Sequence, residues 1–122
     1  MTIQVLSQAF TVCQLTTLPE QVCTPFHFFS ITDEEISLVC PTCDVPPGTL
    51  QHEDGWRAFR IAGVLDFSLI GILARISSLL ADQSISIYAL STYNTDYVLT
   101  KDTQFNHAIS TLQSAGYTIE ML

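Results

Sequence analysis

Gly63-Val64-Leu65-Asp66-Phe67-Ser68-Leu69-Ile70-Gly71-Ile72-Leu73 reads as the end of a strand, a tight loop and the first turn of a helix. Upstream, residues 56–62 alternate with Phe59 and Ile61 on one face, which predicts a strand. Downstream, over 68–81, Leu69, Ile72, Leu73, Ile76, Leu79 and Leu80 recur at helical spacing, and Ser77 and Ser78 fall opposite them. Residues 84–90 alternate again, with Ile85, Ile87 and Ala89 on one side. The stretch Leu90-Ser91-Thr92-Tyr93-Asn94-Thr95-Asp96-Tyr97-Val98-Leu99 then reads as two strands meeting at a polar turn, the second over 96–100. Asp102 or Thr103 caps a second helix in which Phe105, Ala108, Ile109 and Leu112 share a face. Gly116 stands where a C′ glycine ends that helix, and 117–121 supply a last strand. The order is βαββαβ, the split βαβ pattern of an α+β, ferredoxin-like fold with two helices on one face of a sheet.

The leading half is less regular. Residues 10–15, 26–31 and 35–40 read as strands, with Thr32-Asp33-Glu34 as a hairpin turn between the last two. Pro19 and Pro25 leave little room for a helix between the first pair, and 40–54, with Pro41, Pro46, Pro47 and Gly48, reads as a linker. This half is expected to be a trimmed version of the second, its helices missing or shortened. The expected division is 1–52 and 53–122.

The composition narrows the partners. Hydrophobic residues make up 48% of the 122 and charged residues 13%, so apolar surface is expected to be covered between subunits of a homo-oligomer, a dimer in the simplest case. No apolar run reaches the roughly 20 residues that span a bilayer. Without a basic segment leading into an apolar block, the expected compartment is the cytoplasm. The net charge is −8, and Arg57, Arg60, Arg75 and Lys101 are all the cations. Four scattered cations do not make a phosphate-binding surface, so neither nucleic acid nor an anionic membrane is an expected partner.

Cys40-Pro41-Thr42-Cys43 is a CxxC, but it follows a strand and enters a proline-rich stretch where no helix dipole lowers a thiol pKa. Cys13 and Cys23 lack the short spacing of a second zinc knuckle. His27, His52 and His107 are scattered, and no catalytic triad order, HExxH, P-loop or GxGxxG occurs. No catalytic residue, metal ligand or cofactor is assigned, and the chain is not expected to be an enzyme.

Residues 56–73, with 85–99, resemble the ACT domain family, in particular small tandem-ACT amino-acid-binding proteins related to cytosolic arginine sensors. Phe28-Phe29-Ser30-Ile31 and Glu35-Ile36-Ser37-Leu38-Val39-Cys40-Pro41 are similar to that group's degenerate leading ACT repeat. The resemblance implies a regulatory or sensor module that binds a small molecule, an amino acid above all, at an ACT–ACT interface. It places the ligand against the loop after the first strand, at Asp66, Phe67, Ser68, Leu69 and Ile70, and against Thr92, Tyr93, Thr95 and Asp96 in the strand turn. Leu69 and Ile70 stand where an arginine-sensing relative carries more polar chemistry.

These residue types suit a zwitterion. Helix N-terminal amides, expected at 67–70, favour a carboxylate, and Asp66 and Asp96 accept from an ammonium. Ser68, Thr92 and Thr95 supply neutral contacts, while Phe67 or Tyr93 walls an apolar side chain. The same residues also fit a bland role. Asp66 or Ser68 fits a helix N-cap and Asp96 a turn residue that satisfies its own backbone. The functional alternatives are a purely structural ACT interaction module without ligand, and a CxxC redox or zinc protein. Any regulated enzyme or partner is expected to be a separate polypeptide.

Overall fold

The first helix begins later than residue 68. In the computed structural model, which describes residues 1–22, 24–63 and 70–122, α1 is Ile72–Asp82, with Gly71 as its N-cap at φ 79°. That φ is strained for a residue with a Cβ, so a glycine marks where the chain turns into the helix. The first intrahelical bond runs from the Arg75 N–H to the Gly71 carbonyl at 2.9 Å. Ile70 lies outside the helix and is 95% exposed. The N-terminal amides expected at 67–70 are therefore those of Ile72, Leu73 and Ala74. Apolar Ile70 continues the helical pattern without being in the helix, because periodicity alone does not mark a cap.

Two compact units make up the chain: Met1–Ser7 with Arg57–Leu122, and Gln8–Trp56. The expected boundary at 52/53 falls inside a strand, β5 (Gln51–Ile61). The first unit carries β1 (Thr2–Val5), the C-terminal part of β5, α1, β6 (Tyr88–Ser91), β7 (Asp96–Lys101), α2 (Asp102–Ser114) and β8 (Thr118–Met121). From β5 onward this is the ferredoxin-like βαββαβ order. The addition is β1, which runs parallel to β8 (Thr2↔Thr118 to Val5↔Met121) and antiparallel to β5 (Ile3↔Ile61, Val5↔Phe59). With β7 pairing both β5 and β6, the sheet reads β8-β1-β5-β7-β6.

Both helices lie over one face of that sheet. Ile3, Val5, Phe59, Ile61 and Val98 from the strands pack with Ile76, Leu80, Phe105, Ala108 and Leu112 from the helices. Each large side chain fully buried there contributes roughly 1.5–3 kcal/mol. Strand β6 is shorter than expected. Residues 84–87 are not strand, and Ala89 is exposed, so the expected face of Ile85, Ile87 and Ala89 ends after Ile87.

The reason is the way α1 stops. The Ser84 N–H reaches the Ala81 carbonyl at 2.9 Å and the Ile85 N–H reaches the Leu80 carbonyl at 3.0 Å, a Schellman closure. It puts Ser84 at φ 59° and drives Ile85 into the core beside Leu80. Helix α2 closes in the same way: Gly116 N–H to Gln113 and Tyr117 N–H to Leu112, both at 3.1 Å, with Gly116 at φ 104°. Gly116 is the C′ glycine the sequence predicts. Ser84 occupies the equivalent place with a Cβ. Ser84→Gly is expected to stabilise the protein by about 1 kcal/mol, read from urea midpoints at constant m value. A destabilised variant would mean that the serine side chain contributes more than the strain costs.

At its start, α2 departs slightly from the reading. Lys101 is the N-cap and gives no side-chain cap bond, while Asp102, one expected cap, is the first helical residue. Its carboxylate there still complements the helix dipole.

The second unit contains β2 (Phe10–Leu15), β3 (Phe28–Ile31), β4 (Ile36–Pro41), a 3-10 turn at Thr42–Asp44 and the N-terminal part of β5, in the order β3-β4-β2-β5. The hairpin turn is held by the Thr32 N–H on the Glu35 carbonyl at 3.0 Å and by Thr32 Oγ1, which accepts from the Glu34 and Glu35 N–H groups. β3 and β4 have the same lengths as β6 and β7 at a constant offset of sixty, 28 to 88 and 41 to 101. A 3-10 turn follows β4 where α2 follows β7.

The expected linker at 40–54 is shorter than read. Gln51, His52 and Glu53 pair with Gln14, Cys13 and Val12 of β2, and Trp56 pairs with Phe10. β5 takes three steps where β2 takes two, a bulge that contains Gly55 at φ 86°. The polar run Gln51-His52-Glu53-Asp54 has no apolar alternation to announce a strand, because its side chains are exposed and its backbone makes the bonds.

Candidate functional site

A cleft of about 320 Å³ opens in the first unit where the start of α1 meets the end of α2. Ile70, Gly71, Ile72 and Arg75 form its α1 side. Ala115, Gly116 and Tyr117 form the α2 side, and Met1 closes one flank.

Two opposite helix ends thus share one opening. On the α1 side the amides of Ile72, Leu73 and Ala74 precede the first intrahelical bond. Among the described residues α1 has no side-chain cap bond and no acidic residue in its first turn. Those amides and the helix dipole favour an anion. Arg75, exposed and in no ion pair among the described residues, adds a full positive charge. On the other side, α2 presents the negative end of its dipole at Ala115 and Gly116.

Of the expected ligand residues, Asp66, Phe67, Ser68 and Leu69 lie outside the described residues, and Ile70 lines the cleft. Thr92, Tyr93, Thr95 and Asp96 do not line it. They form the β6–β7 turn. The Thr92 N–H donates to the Thr95 carbonyl at 2.9 Å, and Thr92 Oγ1 accepts from the Thr95 N–H at 3.4 Å. Thr95 is buried and its hydroxyl donates to the Ile61 carbonyl at 2.8 Å. Asp96 accepts from the Ser91 hydroxyl at 2.6 Å, and Tyr93 is 80% exposed.

Sequence reading missed Arg75, Met1 and the α2 end. The signal available was topological: a βαββαβ order lays the two helices antiparallel on one face, so the start of one lies beside the end of the other.

Two of the described thiols, Cys13 and Cys40, are buried. Cys40 is fully buried, and burial, reinforced by the neighbouring Cys13, Asp44 and Cys43, pushes its thiol up to about 12. Burial raises Cys13 as well. Cys43 is exposed, and Cys23 lies outside the described residues. Among the described residues no three His, Cys, Asp or Glu side chains converge as metal ligands, and no helix is long and apolar enough to cross a membrane.

A family model described as an ACT domain matches residues 51–114, from the start of β5 to the end of α2. The rat protein "Cytosolic arginine sensor for mTORC1 subunit 1" is 34% identical over 102 residues, covering 78% of this chain and 31% of that protein. The mouse protein of the same name gives the same values. The chain therefore spans about a third of the length of the curated relatives it matches. Among solved structures, protein Atu0741 from Agobacterium tumefaciens superposes with a TM-score of 0.88 at 23% identity, covering 99% of this chain and 92% of that one. The aspartokinase alpha and beta subunits superpose with a TM-score of 0.65 at 14% identity, covering 94% and 97%. At such identities these structures speak to the fold alone.

Proposed function

Because the chain belongs to the ACT domain family, we propose that it is a regulatory module that binds a free α-amino acid in the cleft between the α1 and α2 ends. The observation that carries this is the pairing of opposite helix ends across one opening. The carboxylate sits at the Ile72, Leu73 and Ala74 amides with Arg75, and the ammonium faces the Ala115–Gly116 end of α2. A volume of about 320 Å³ is at the small end of ligand sites and suits a single metabolite. The name of the rat relative, an arginine sensor, supports an amino acid as the class of ligand.

Thr92, Thr95 and Asp96 are assigned to the turn, because their own hydrogen bonds account for them. In this reading the chain binds its ligand without transforming it. It regulates through differential affinity for one arrangement of its copies or of a partner. Its working form is a homo-oligomer, supported by 48% hydrophobic against 13% charged residues. A monomer by light scattering at high micromolar concentration would remove that part of the reading.

The test is a thermal-shift panel of the twenty amino acids. A ligand at a hundred times its dissociation constant stabilises by about 2.7 kcal/mol. Arg75→Ala is expected to weaken the ligand found about tenfold, or ~1.4 kcal/mol. Its ligand-free melting temperature should be unchanged, since Arg75 is exposed. Silence from all twenty at millimolar concentration would sink the proposal, and unaltered affinity in Arg75→Ala would move the site.

A further inference from the structure

Resting on the amino-acid reading above, we propose that the cleft selects an α-amino acid with an uncharged, apolar side chain and rejects arginine and lysine. Its backbone-reading groups are the α1 amides, Arg75 and the α2 end. Among the described lining residues, what remains to meet a side chain is Ile70, Ile72, Met1 and Tyr117. Among the described residues that line the cleft there is no aspartate or glutamate. A guanidinium or ammonium side chain would give up water without gaining a carboxylate, and would share the opening with the Arg75 cation. An acidic side chain gains little, because Arg75, the one cationic side chain among the described residues that line the cleft, is engaged by the α-carboxylate. An apolar side chain loses nothing on leaving water and covers Ile70, which is otherwise 95% exposed.

Arginine, the ligand in the name of the rat relative, is therefore not carried over to this chain. Selectivity here comes from leaving a charged side chain without a partner, a larger effect than the small differences an apolar pocket draws between side chains of different shape.

Isothermal titration calorimetry on the full chain with leucine, methionine, phenylalanine, glutamate, lysine and arginine tests this. At least one of the first three should bind, with lysine and arginine weaker by about tenfold or more. Arginine, lysine or glutamate binding as tightly as the best apolar amino acid would overturn the selectivity and leave the amino-acid reading standing. Silence from these six and from the other fourteen would overturn both. Ile70→Asp places a carboxylate at the cleft edge, at a position too exposed to disturb folding. It should narrow the gap between apolar and cationic amino acids about tenfold. An unchanged ratio in that variant would show that the side chain is read elsewhere and overturn the proposal.

Discussion

Phe59→Ala is expected to destabilise the protein by about 3–5 kcal/mol. Phe59 is fully buried on β5, pairs across the ladder with Val5, and its ring lies 6.4 Å from that of Phe105 on α2. It therefore links the strand that carries the sheet to the helix that covers it. The Arg57 guanidinium sits 4.8 Å from the Phe105 ring centre, so a Phe105 that sags into the void also loses its cation. A loss of this size is a large share of the roughly 5–15 kcal/mol that holds a domain together. Urea unfolding should show a much lower midpoint at unchanged m value. A shift below about 1 kcal/mol would mean that the core refills the space, contrary to the close packing described.

Deleting residues 1–5 is expected to abolish cooperative folding of the unit formed by Met1–Ser7 and Arg57–Leu122. The segment is a strand with a neighbour on each side. Its loss strips β8 of its ladder, including the Leu122 N–H bond to the Val5 carbonyl at 3.0 Å and the Thr118 N–H bond to the Met1 carbonyl at 3.1 Å. It also removes Ile3 and Val5, both essentially unexposed, from the core. Those two side chains account for roughly 3–6 kcal/mol by burial alone, before any backbone group left unpaired is counted. Calorimetry of the truncated chain should show no sharp transition from this unit. A cooperative melt within a few degrees of the full chain would show that β8 can pair directly with β5.

The elements that were legible in the sequence are those whose pattern is local. Ile76, Leu79 and Leu80 predict α1, Phe105, Ala108 and Leu112 predict α2, and Gly116 marks where α2 stops, because helical spacing and a left-handed cap are written within a few residues. The hairpin turn at Thr32 is local in the same sense. What was not legible depends on distant chain. Thr2-Ile3-Gln4-Val5 does alternate, but four residues are too few to announce a strand whose partners lie at 59–61 and 118–121. Gln51-His52-Glu53 has no apolar face at all and becomes strand only because β2 offers its backbone. Ser84 ends a helix in a conformation that its Cβ disfavours, and so gave no signal. The cleft followed the same rule. Ile70 was nameable through the family resemblance, as part of the loop and first helical turn, whereas Arg75 and Ala115 gain their meaning only once two helices are laid side by side.

The placement of β1 also sets a timetable. The Thr2↔Thr118 pairing joins positions 116 apart, so the loop it closes is nearly the whole chain. Closing so long a loop is entropically expensive and slows folding relative to nearest-neighbour pairings such as β3 with β4. On a ribosome, which releases the chain from its N-terminal side, β1 is made before β8 and cannot meet it until residues 118–121 have emerged. In the interval β1 has β5 on one side and an unpaired edge on the other, one that a chaperone would meet before β8 does.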